Sequence, residues 1–196
     1  MIALKAKMAK GDTCKEDPSH TKRDTLDLNS AEHDTYGNNN CQEEYRVGNY
    51  ENVISLAEHI SERIGRPIDP SRNVIVNPGS DCGLLFAMMP FVCEGDEILI
   101  PDPSYPSNYL NCKLLSGVPV SVPTYPEDNY RIRIEEMEKR VTDKTKMVLL
   151  THPNNPTTVV YRKENLMELA EFIIKHDLIL VVDQAFEDHI FDGIEF

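Results

Sequence analysis

The strongest constraint on the fold lies near the end of the 196-residue chain, in two short apolar runs separated by one helical stretch. Residues 146–151 (KMVLLT) and 178–182 (LILVV) read as buried strands. Between them Leu166, Leu169, Ala170, Ile173 and Ile174 recur at helical spacing. A strand–helix–strand unit of this kind makes the two strands parallel, with a right-handed crossover. Asn155, in the loop after the first strand, and Asp183, directly after the second, then fall just past the strands' carboxyl ends. Open α/β sheets bind ligands in the crevice outside those ends.

The same alternation extends upstream. In residues 51–64, Val53, Leu56, Ala57, Ile60 and Ile64 keep helical spacing until Gly65 and Pro67 stop the helix. Residues 73–76 (NVIV) read as a strand, and Pro78-Gly79-Ser80 as a turn into an apolar helix over about 81–92. A strand at 97–100 (EILI), a short helix, a strand at 118–122 (VPVSV) and a charged helix from Glu135 to Val141 follow. This order predicts an α/β fold with a parallel sheet. Residues 1–44 are polar and lack sustained periodicity, which predicts a partly irregular amino-terminal arm before an ordered region over 45–196.

Composition narrows the function classes. A net charge of −13 argues against nucleic acid or an anionic membrane surface as the main partner. No apolar run approaches the roughly 18 residues of a membrane-spanning helix. The first residues carry lysines but no apolar stretch of a secretory signal. Five cysteines, odd in number and without metal-ligand spacing, predict reduced thiols in a cytoplasmic protein. The six histidines form no metal-ligating pattern, and Glu187-Asp188-His189 reads as a solvated helical face.

Four positions carry candidate chemistry. Gly79-Ser80-Asp81 opens a helix whose first amides lack intrahelical partners and suit a phosphate. Ser80 serves equally as a plain helix cap, and the Asp81 carboxylate must point away from any anion. Tyr105 lies between Pro103 and Pro106, which restrict the backbone around a ring able to stack on a planar ligand. It also fits a half-buried surface turn. The Asn155 amide can donate to an oxyanion, or it can be a turn residue. Asp183 ends an apolar run, where a carboxylate needs a partner such as a protonated ring nitrogen or the next loop.

Residues 73–80 (NVIVNPGS), 95–106 (GDEILIPDPSYP), 153–158 (PNNPTT) and 181–193 (VVDQAFEDHIFDG) together resemble the class I/II aminotransferases, the fold-type I pyridoxal-phosphate enzymes. The resemblance runs from about Tyr45 to Phe196. It implies the three-layer αβα large domain of that family, truncated before its last strands, and the cofactor pyridoxal 5′-phosphate. By resemblance, Ser80 and Asp81 lie at the phosphate, Tyr105 stacks on the ring, Asn155 bonds the phenolate oxygen and Asp183 pairs with the pyridine nitrogen. Tyr45 resembles the tyrosine that reaches a neighbouring subunit's phosphate in the family's homodimer. Amino-acid and 2-oxo-acid substrates are implied as well.

Three departures qualify this. Thr158 stands where the motif has glycine, and Phe186 where the family usually has a tyrosine that bonds the phenolate oxygen. The Schiff-base lysine follows the aspartate segment in the family, and none of Lys113, Lys144, Lys146, Lys163 and Lys175 stands in that context. The expectation is a chain without its catalytic lysine and without the carboxy-terminal small domain, inactive by itself. It also predicts an unpaired row of backbone groups between the strand at 73–76 and that at 146–151. The rival readings are a non-catalytic scaffold or binding protein of the same fold, and a fold-type I lyase.

Overall fold

The computed structural model describes residues 2–5 and 50–191. They fall into two units, one within Lys15–Pro78 and the other comprising Met1–Cys14 with Gly79–Phe196.

In the first unit, α1 (Tyr50–Ile64) buries Val53 and Ala57 and ends at Gly65, whose φ of 65° suits a helix stop. A single turn, α2 (Pro70–Asn73), follows. Asp69 caps it by accepting the Ser71 N–H (2.9 Å), and Pro70 supplies the preset φ of a first helical residue. The expected strand at 73–76 is therefore absent. Asn73 belongs to α2, residues 74–76 are irregular, and Ile75 is 74% exposed. A short apolar run becomes a strand only where a neighbour takes up its backbone groups.

The second unit is built on a five-stranded sheet in the order β1-β5-β4-β2-β3. Its strands are β1 (Ile2–Lys5), β2 (Glu97–Asp102), β3 (Val118–Pro123), β4 (Thr145–Thr151) and β5 (Ile179–Asp183). β3, β2, β4 and β5 pair in parallel, with Leu99 opposite Val120 and Val148, and Thr151 opposite Asp183. β1 joins the outer edge of β5 antiparallel, Ile2 opposite Asp183. Among the described residues β4 is paired on both sides, by β2 and β5, and with no strand at 73–76 the unpaired row expected between that strand and the one at 146–151 has no counterpart.

The period-2 pattern of the strands sorts side chains into two cores. Leu99, Val122, Val148 and Leu150 face one side, where α5 (Ile134–Glu138) and α6 (Lys163–Lys175) supply Met137, Leu169 and Phe172. Ile98, Ile100, Met147, Leu149 and Val181 face the other, where α3 (Ser80–Met88) and α4 (Pro106–Leu114) supply Leu84, Met88 and Cys112. The result is the expected three-layer αβα arrangement. Burial pushes the Cys112 thiol up to about 11. Cys93 is disulfide-bonded, so the expectation of reduced thiols throughout does not hold. No helix among the described residues is long and apolar enough to cross a membrane.

Candidate functional site

The carboxyl edge of the parallel strands collects most of the candidate residues, beginning with the start of α3. Gly79 is the residue that caps this helix, at a φ of 97° that side chains rarely adopt. Ser80 is consequently not the cap. It is the first helical residue, and its hydroxyl makes no hydrogen bond among the described residues. The first ladder bond runs from the Gly83 N–H to the Gly79 carbonyl (3.3 Å). The amides before it stay available at the positive end of the helix. The Asp81 carboxylate is turned toward α4, where Oδ2 accepts from the Ser107 hydroxyl (3.2 Å).

Tyr105 lies in the loop after β2, which contains a cis Asp102–Pro103 bond, and it is the residue that opens α4. Its ring is half-buried. Two buried amides fasten this loop. Asn108 Nδ2 donates to the Ser104 hydroxyl and to Thr151 Oγ1 at the end of β4, both at 2.9 Å. Asn154 Nδ2 donates to the Pro103 carbonyl (3.0 Å) and to Thr157 Oγ1 (2.7 Å). Asp102 is itself occupied, accepting from the Tyr109 and Ser121 hydroxyls at 3.0 and 2.8 Å.

At the ends of β4 and β5, the His152 N–H donates to the Asp183 carbonyl (2.9 Å), extending the ladder by one bond. The Asp183 side chain is 3% exposed, and Oδ1 accepts the Ala185 N–H (3.1 Å). Burial raises its proton affinity above the usual carboxylate range, and the Asp81 charge adds to the rise. His152 is also buried. It stacks on Tyr161 with ring centroids 5.5 Å apart, and burial lowers its pKa to about 4. The Tyr161 N–H donates to His152 Nδ1 (3.4 Å), which fits the neutral ring.

The two adjacent asparagines divide their work. Asn154 is 4% exposed and structural, whereas Asn155 is half-buried and its amide makes no hydrogen bond among the described residues. Asn155 precedes Pro156 through a cis bond. Thr158 occupies the motif's glycine position at a φ of 61°. Phe186 is 44% exposed and meets His189 edge-on at 6.0 Å. Residues 185–188 form a turn, where a helical face was expected, because the chain leaves β5 through the Asp183–Ala185 bond. Tyr45 lies outside the described residues.

Ser80, Asp81, Tyr105, Asn155 and Asp183 thus lie on one edge of one sheet, and hydrogen bonds from α3 through α4 and β4 to β5 tie their loops together. Asn108, Asn154 and Ser107 were not legible as site-building residues, because nothing in a polar residue's identity shows that it is buried. The doubled Asn154-Asn155 was the available signal. Chemically, the edge offers free amides for an anion, an aromatic face, an uncommitted amide and a desolvated carboxylate suited to a cationic N–H.

These features define an open, doubly wound α/β protein whose candidate polar groups gather at the carboxyl edge of its parallel strands. A family model for aminotransferase class I and II matches residues 6–196. The aspartate aminotransferase of Pyrococcus abyssi is 36% identical over 141 residues, covering 72% of this chain and 36% of that protein. Aromatic-amino-acid aminotransferase 2 of Thermococcus litoralis is 34% identical over 147 residues, covering 73% of this chain and 38% of that protein. Among solved structures, the aromatic aminotransferase from Pyrococcus horikoshii OT3 superposes with a TM-score of 0.73 at 36% identity, covering 76% of this chain and 40% of that one. The chain belongs to the class I and II aminotransferase family. It spans less than half the length of these relatives.

Proposed function

We propose that this chain serves amino-group transfer between an amino acid and a 2-oxo acid, by gripping pyridoxal 5′-phosphate at the carboxyl edge of its sheet. The observation that carries the reading is the hydrogen-bonded edge just described, on which Ser80, Asn155 and one oxygen of Asp183 remain uncommitted among the described residues. The residues present fit the cofactor. The first-turn amides of α3 and the Ser80 hydroxyl take its phosphate. Tyr105 covers the ring face. Asn155 donates to the phenolate oxygen, and Asp183 accepts the ring N–H.

When bound, the cofactor supplies the electron sink that makes an amino acid's α-proton removable. The protein's part is electrostatic and positional. Desolvation makes an unpaired Asp183 carboxylate costly, so a cationic N–H facing it offsets that cost and holds the proton on the ring nitrogen. Asp81, held toward Ser107, leaves the amides of α3 open to the anion. Phe186 brings no hydroxyl to the phenolate oxygen, so Asn155 acts there alone. Lys144 and Lys146 lie at the amino end of β4, the far edge of the sheet, while Lys113, Lys163 and Lys175 lie at helix ends. None is assigned as a covalent anchor, and the chain is proposed not to transaminate alone.

Equilibrium binding followed by absorbance tests this. Pyridoxal 5′-phosphate should bind saturably, Asp183→Ala and Tyr105→Ala should each weaken it at least tenfold, and borohydride should fix no cofactor to a single lysine. Equal weak binding by all three proteins would favour a non-catalytic scaffold. A specific borohydride adduct would overturn the assignment of no anchor.

A further inference from the structure

We propose that Asn108, with Asn154 as its counterpart, is a positioning residue for the Tyr105 ring. The inference rests on the cofactor reading only for its ligand; its structural half stands on this chain alone.

Asn108 is fully buried in the first turn of α4, three residues after Tyr105. Its two donated bonds reach in different directions. One holds Ser104, the residue before Tyr105, and the other holds Thr151, the last residue of β4. Asn154 repeats this from the opposite side, reaching from the β4 loop back to the Pro103 carbonyl. The segment from Pro103 to Asn108 is therefore clamped at both ends to the strand end that leads to Asn155. Tyr105 lies in the middle of the clamp and makes no side-chain hydrogen bond of its own among the described residues. The position of its ring relative to Asn155 is set by the two amides.

The Asn108 carbonyl oxygen supports a positioning role over plain stabilisation. Oδ1 is buried without a partner. A stranded acceptor is destabilising, and an apolar side chain of similar shape would avoid it. The amide is better explained by where its N–H groups hold the loop than by what it adds to stability.

The first test needs no cofactor. In Asn108→Ala, hydrogen exchange at the amides of residues 104, 105, 107 and 108 should quicken at least tenfold relative to β2 and β4, with exchange in α6 unchanged; Pro103 and Pro106 carry no amide hydrogen. Thr151→Val, which removes one acceptor and keeps the shape, should do the same more weakly, and it serves if Asn108→Ala does not fold. Unchanged exchange in the Tyr105 segment for both variants overturns the proposal. The second test is a double-mutant cycle on pyridoxal 5′-phosphate affinity. Asn108→Ala should raise Kd about tenfold in the parent and by less than twofold in the Tyr105→Ala background. Equal losses in both backgrounds mean Asn108 does not act through Tyr105. If the parent does not bind the cofactor, the proposed function fails while the exchange result still decides the clamp.

Discussion

Replacing Thr158 by glycine should stabilise this protein. Thr158 holds a φ of 61°, and a β-branched residue in that left-handed region is a genuine outlier. An L-residue there costs roughly 1–2 kcal/mol relative to glycine. Glycine's greater freedom in the unfolded chain returns about 0.5–1 kcal/mol of that. Nothing else of consequence changes. The side chain is exposed, and its hydroxyl has no hydrogen-bond partner among the described residues. The bonds that shape the loop, Thr158 N–H to the Asn154 carbonyl (2.8 Å) and Asn154 N–H to the Val159 carbonyl (2.9 Å), involve backbone alone. The net expectation is a gain of roughly 0–1.5 kcal/mol, centred near 0.75 kcal/mol, which is a rise of about 1.5–3 °C in Tm for a chain of this size. Urea unfolding should show a higher midpoint at an unchanged m-value. Thr158→Asn should also gain, since asparagine tolerates this region and adds little unfolded-state freedom. Thr158→Val should not. A midpoint lowered by both Gly and Asn would refute the argument that backbone strain resides at this position.

Three further outcomes are expected. Gly117→Ala should lose about 1–3 kcal/mol by urea unfolding, because a Cβ there meets Ile98 Cδ1 at 2.9 Å, Val92 Cγ1 at 3.0 Å and the Cys112 carbonyl at 3.2 Å. Asn165→Leu should lose about 2–3 kcal/mol, because the amide accepts the buried Ile132 N–H (3.0 Å) and donates to the Ile132 carbonyl (2.8 Å), leaving both unpaired when removed. His152, neutral in the fold with its pKa lowered from 6.5 to about 4, contributes stability that is full above pH 6.5 and declines as pH falls toward 4. The raised pKa of Asp183 acts in the opposite sense, its penalty at neutral pH fading as the group protonates in acid. Unfolding free energies across this window should therefore fall less steeply in His152→Phe than in the parent, and an unchanged slope would remove His152 from the account.

What the sequence revealed follows from which physical signals are local. β2, β4 and β5 announced themselves because buried parallel strands are apolar on both faces, and the largely exposed edge strand β3 did so through its β-branched Val118, Val120 and Val122. α1 and α6 did so through their spacing. The run Val74-Ile75-Val76 misled because an apolar triplet says nothing about whether a neighbouring strand exists, while Asp69-Pro70, a cap followed by a first-turn proline, was the stronger local signal. At the candidate site, the positions of Asp183 and Asn155 at and just past strand ends were legible. Ser80 was ambiguous until the φ of Gly79 showed that the glycine is the cap. Asn108 was invisible, since its meaning depends on Thr151, 43 residues away in sequence.

The separations spanned by the edge's hydrogen bonds also bear on how the protein is made. Asn108 waits for Thr151, Asn154 reaches back 51 residues to Pro103, and the His152 N–H needs the Asp183 carbonyl. None of these bonds can form before its later partner has left the ribosome. At about 5–20 residues per second, the stretch from Ser80 to Asp183 occupies on the order of 10 s of synthesis. Throughout that interval the Tyr105 loop and the α3 amides exist without their tethers, so a nascent chain gains the hydrogen-bonded edge only once Asp183 has emerged.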